Sequence, residues 1–114
     1  MEIILSEGEA KKMMYAFNVS LSHIKVEELE QYISKNAIPK KEKILIYMKS
    51  EESYCVSSGN VIDVFTNEDT GIIKEGFKDA EYIWNSEMIY YFEKYNLILR
   101  NDFIDHVLKK TEAA

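Results

Sequence analysis

The spacing of apolar residues changes twice along this chain, and that change constrains its fold more than any other feature. Near the start, Ala10, Met13, Met14 and Phe17 recur at helical spacing. They follow "SEGE" at 6–9, a capping box in which Ser6 and Glu9 satisfy each other's backbone donors. A helix is predicted over 7–17. A second is predicted over 24–35, with Val26, Leu29 and Ile33 on one side and Glu27, Glu30 and Gln31 on the other. Pro39 in "NAIPKK" disfavours helix at the residue before it and closes this element.

From residue 42 the pattern reads as strand. "EKILIYMK" (42–49) is a run of β-branched, aliphatic and aromatic residues without a helix cap. "SYCVS" (53–57) and "VIDVFT" (61–66) make two more strands, joined through "SSGN", where Gly59 and Asn60 tolerate the positive φ of a tight hairpin. "NEDTG" is a turn, and "IIKEGF" offers a short fourth strand or an extended link. The last third returns to helical spacing. Asn85 or Ser86 caps a helix through Tyr95. Asn101 or Asp102 caps a final one with Phe103, Ile104, Val107 and Leu108 on its apolar side and Lys109 and Lys110 at the favourable end of its dipole. The expected class is α+β: two N-terminal helices, a three- or four-stranded antiparallel meander, and two C-terminal helices packed on one sheet face. At 114 residues the chain reads as one domain, 1–114, burying roughly two-thirds of its unfolded surface without a staple.

The aromatic segment "EYIWNSEMIYYFEKYNLIL" (81–99) holds the one tryptophan and four of the eight tyrosines. On a helical projection Met88, Tyr91 and Tyr95 fall within about 40° of Trp84, with Phe92 near 80°, so most of this density is core. Tyr90 projects to the polar side beside Ser86, Glu93 and Lys94, and Tyr15 projects between Lys11 and Lys12. Both are candidate contact tyrosines, because tyrosine is enriched at protein interfaces.

Charge is distributed unevenly. Residues 35–49 carry five lysines against Glu42, whereas residues 50–105 carry twelve acidic and four basic groups on a chain of formal net charge −6. Such a second half favours a cationic partner over a nucleic acid. Thirteen of the fourteen basic residues are lysine, a poorer bidentate reader of phosphate and guanine than arginine. Cys55 has no partner for a disulfide, and no segment reads as a secretory signal or a membrane span, which gives a cytoplasmic expectation.

Catalytic signatures are missing. Gly59, Gly71 and Gly76 are isolated and form no phosphate loop, and the spacing of His23, His106 and Cys55 suits no metal. Asp102 and His106, four apart on the final helix, could hold a metal or serve as acid and base, and the acidic pairs Glu68/Asp69 and Asp79/Glu81 could include a general acid; solvated side chains are the plainer reading of all three. No metal, no cofactor and no enzymatic activity are expected.

The stretch "YIWNSEMIYYFEKYNLILRNDFIDHVL" (82–108) resembles the closing helices of small bacterial immunity proteins that guard against polymorphic toxins, including those of contact-dependent growth inhibition. The likeness lies in a tryptophan leading an aromatic helix, then a polar-capped helix ending "FIDHVL". It implies a cytoplasmic protein that blocks one cognate toxin, often a nuclease, by non-covalent capture. The residues expected to meet such a partner are Glu68 and Asp69 in the turn, Asp79 and Glu81 before the last helical pair, and Tyr90. The alternatives are a phage-borne or regulatory inhibitor of another host factor, and a small enzyme built on Asp102 and His106.

Overall fold

The computed structural model describes residues 14–17, 21 and 24–112. In chain order the elements are β1 (Met14–Tyr15), α1 (Val26–Glu30), α2 (Lys41–Ser50), β2 (Ser53–Ile62), β3 (Asp69–Asp79), β4 (Tyr82–Asn85), α3 (Ser86–Tyr95) and α4 (Asn101–Glu112). The fold is α+β. β2, β3 and β4 form an antiparallel meander, and the two-residue β1 lies parallel to β4 to give the sheet order β1-β4-β3-β2.

The segment expected as the first strand is a helix. In α2, Ile44, Leu45, Tyr47 and Met48 are buried while Ile46 is 66% exposed, a helical alternation rather than a two-residue one. A short continuous apolar run cannot separate a strand from a buried helix by periodicity. Here tertiary packing decides: Lys41 Nζ donates to Glu93 O at 2.8 Å and Asn96 Oδ1 at 2.7 Å, and the Trp84 indole donates to Met48 O at 3.1 Å.

Two further boundaries move. "SYCVS" and "VIDVFT" are not two strands joined by a hairpin. Residues 53–62 are one strand, and the hairpin turn falls at 63–68. Between Val56↔Glu75 and Asn60↔Ile73 the register of β2 advances four residues against two in β3, so Gly59, at φ +91°, serves a bulge. The turn follows Asp63, whose Oδ1 accepts from Phe65 N at 2.8 Å and Thr66 N at 3.2 Å. "IIKEGF" lies within the eleven-residue β3. At Gly76 a Cβ would stand 2.7 Å from Cys55 Sγ, so the bare glycine lets that neighbouring side chain lie across the strand.

The second predicted helix is helical only over Val26–Glu30. Beyond it the chain extends and pairs with the segment after α3, through an Ile33↔Leu97 bridge and bonds from Ser34 N to Asn96 O and Ile98 N to Tyr32 O. Those bonds supersede the helix expected to 35. Of the first predicted helix, 7–17, residues 7–13 lie outside the described residues together with the Ser6–Glu9 capping box and His23. Its end is overturned, because Met14 and Tyr15 are strand, paired with Tyr82 and Ile83.

The last two helices stand where the sequence placed them, although Asn101 and Asp102 lie inside the first turn of α4 rather than before it. Asn85 Oδ1 accepts from Met88 N at 2.9 Å to open α3, and Asn96, left-handed at φ 63°, closes it. Trp84 is buried as expected but belongs to β4 rather than to a helix. Its ring lies 5.6 Å from Tyr47, 6.2 Å from Phe77 and 5.4 Å from Phe103, centroid to centroid. This aromatic cluster seats α2 and α4 on the sheet. Among the described residues no helix is long and apolar enough to cross a membrane.

Candidate functional site

β3, α3 and the end of α2 enclose an open groove of about 500 Å³. Ile72 and Phe77 of β3 and Ile89 and Tyr90 of α3 give it an apolar floor. Lys49, Glu51, Glu75 and Glu93 stand around it, three carboxylates against one ammonium. That ammonium is already committed, since Lys49 Nζ lies 2.9 Å from Glu93 Oε2. Glu51 has only a distant cation, Lys110 Nζ at 4.0 Å, and Glu75 forms no ion pair among the described residues. Ser86 also lines the groove, but its hydroxyl is spent on β3: it accepts from Glu75 N and donates to Ile73 O, both at 2.8 Å. The walls are therefore held by backbone-anchored contacts where β4 ends and α3 begins.

The same composition recurs nearby. A second hollow, of about 510 Å³, has Glu27, Glu30 and Lys35 around Ile33, Phe65 and Tyr95. Beside the groove, the β2–β3 hairpin exposes Val56, Ile62, Ile72 and Ile73, an apolar surface on an acidic chain.

Two carboxylates are instead turned inward. Asp63 is fully buried, and its Oδ2 accepts from Tyr90 at 2.5 Å and Tyr95 at 2.6 Å, with Lys94 Nζ at 3.7 Å. Burial opposes its charge, but the two tyrosine hydroxyls and two backbone N–H groups outweigh burial and lower its pKa. Burial and the adjacent carboxylate push both tyrosines up to about 12. Asp79, at the far end of β3, accepts from Lys110 Nζ at 2.7 Å and from the Tyr47 hydroxyl, and His106 Nε2 lies 3.0 Å from the same oxygen. Against burial, these donors bring its carboxyl down to about 2. At neutral pH a carboxylate so stabilised is a weak proton acceptor, and its geometry ties β3 to α2 and α4.

The five residues predicted to meet a partner do not form one cluster. Glu68 and Asp69 are exposed where β3 begins, and Asp79 and Glu81 lie at its other end, roughly 30 Å away for a strand of this length. Glu81 is exposed, whereas Asp79 is held by its three internal donors. Tyr90 lines the groove, but its hydroxyl bonds Asp63 instead of standing free among charges. Tyr15 is 38% exposed, on a strand rather than a helix. Asp102 and His106 do not pair: Asp102 forms a two-pronged contact with Arg100 at 3.1 and 2.7 Å, and His106 turns to Asp79. Neither lines the groove.

Sequence reasoning passed over Ile72, Glu75, Phe77, Ile89 and Glu93, which belong to a strand and a helix brought side by side only by the fold. It also passed over Asp63, whose one local signal was an aspartate two residues before Phe65 at a turn. Among the described residues no three or more His, Cys, Asp or Glu side chains gather as a metal site. No family model, curated protein or solved structure matches this chain.

Proposed function

We propose that this chain is a non-enzymatic acidic binding protein that captures a basic partner, in the manner of the immunity proteins that residues 82–108 resemble, and neutralises a toxin by filling its active cleft. The observation that carries this reading is the groove between β3 and α3, an apolar floor with more carboxylates than cations around it, on a chain of formal net charge −6. A nuclease grips phosphates with a positive cleft, and an acidic surface with apolar contact area is complementary to such a cleft. Occlusion requires no catalytic group and no cofactor. Asp63 and Asp79 serve the scaffold in this reading, while Glu68, Asp69 and Glu81 extend the negative field beyond the groove.

The test is co-expression with the product of the reading frame directly upstream, where a toxin gene normally precedes its immunity gene. Restored growth, a stoichiometric complex and loss of the toxin's nuclease activity in the purified mixture are expected. A toxin that stays active and unbound in the presence of excess protein would overturn the reading.

A further inference from the structure

Resting on that reading, we propose that the groove between β3 and α3 takes a short segment of the partner in which lysine or arginine alternates with an aliphatic residue. Its floor and its rim ask for different chemistry. Ile72, 40% exposed, offers most of the apolar contact, with the nearly buried Phe77 and Ile89 behind it, and a ligand covering this surface gains from removing it from water. Among the described residues Glu75 above them pairs with no cation, Glu51 meets only Lys110 Nζ at 4.0 Å, and Glu93 pairs with Lys49. An acidic segment would be repelled by this rim, and a purely apolar one would leave the carboxylates without counter-charges. A cationic side chain with a long alkyl stem answers both, laying the stem on the floor and the charge at the rim. At about 500 Å³ the groove lies within the size range of sites that hold several side chains or a small ligand. The second hollow has similar chemistry but borders the five-residue α1, whereas this groove is walled by a long strand and two ten-residue helices. Rigid walls lose less freedom when a segment binds.

The experiment is an amide-shift titration of the whole chain with three probes: a peptide alternating leucine and arginine, a peptide of arginine and glycine with the same charge, and spermine. The expected result is saturable binding of the first peptide, with shifts centred on Ile72, Glu75, Phe77 and Ile89. Glu75→Lys should weaken it roughly tenfold, and Glu28→Lys, the same charge change on exposed α1, by less than about twofold. Shifts centred elsewhere, equal affinity for the glycine-containing peptide or for spermine, or unchanged binding by Glu75→Lys would each overturn the inference. Amide spectra of both variants show whether they remain folded; should Glu75→Lys not fold, Glu75→Gln takes its place, with weakened binding again expected and unchanged binding overturning the inference. Toxin capture that survives Glu75→Lys would remove the groove's role and leave the inhibitor reading standing. Peptide binding with no toxin capture would do the reverse.

Discussion

At the scale of single residues, Asp63 is the most consequential side chain. It is fully buried and gathers Tyr90, Tyr95, Phe65 N and Thr66 N onto one carboxylate. Hydrogen bonds to a charged acceptor are worth about 1.5–3 kcal/mol each when the alternative is an unsatisfied buried group. Asp63→Asn retains the shape but removes the charge and turns one acceptor into a donor facing two hydroxyls. A loss of about 2–4 kcal/mol is expected from urea unfolding at pH 7. The same residue sets a pH dependence. Its folded pKa lies below its unfolded value, so its contribution is present above about pH 4 and is lost as pH falls through the folded pKa. Asp79, at about 2 in the folded state, contributes about 2 kcal/mol that is lost between roughly pH 5 and pH 1. Unfolding free energy should therefore fall from pH 5 towards pH 2, and it should fall less in Asp63→Asn than in the unaltered protein. Parallel pH profiles for the two would contradict this role for Asp63.

At the scale of elements, α3 shows how local signals and packing combine. Asn85 is buried and caps the helix while ending β4, so one side chain joins the sheet to the helix that walls the groove. Asn85→Ala should cost about 1–2 kcal/mol, since the Met88 N–H loses its acceptor. Thermal unfolding would show the loss, and an unchanged midpoint would mean the cap contributes nothing. The cap of α3 was legible because a cap is a local matter: a short polar side chain next to an apolar stripe. α2 was not legible. "KILIYM" satisfies a strand by propensity, and only its contacts with Trp84, Glu93 and Asn96 make it a helix. The hairpin was misplaced for a similar reason. Gly59 does take a positive φ, but a bulge and a turn both require that, and pairing with β3 decides between them. Glu68 and Asp69 could be recognised as exposed, although the turn expected at 67–71 falls at 63–68 and Asp69 opens β3; the groove could not be recognised, because Glu75 and Ile89 share no local pattern.

At the scale of the whole molecule, the proposed capture divides into an approach set by charge and a grip set by the groove. Under the proposed function, a field from twelve acidic and four basic groups over residues 50–105 would steer a basic protein and be screened by salt. The association rate with the partner should fall roughly 10- to 10³-fold from low to high ionic strength. Glu68→Lys with Asp69→Lys should slow association and flatten that salt dependence, as stopped-flow mixing would show; an unaltered slope would remove these two residues from the steering surface. What the sequence determined on its own was whatever depends on neighbours a few residues away: the α+β class, the two C-terminal helices, the aromatic core and the sign of the field. The tertiary structure alone decided that residues 41–50 form a helix, that Asp79 takes the histidine expected to pair with Asp102, and that Glu51, Glu75 and Glu93 stand around one apolar floor. Those outcomes depend on contacts between residues far apart in the chain, whose energies appear only once the backbone has brought them together.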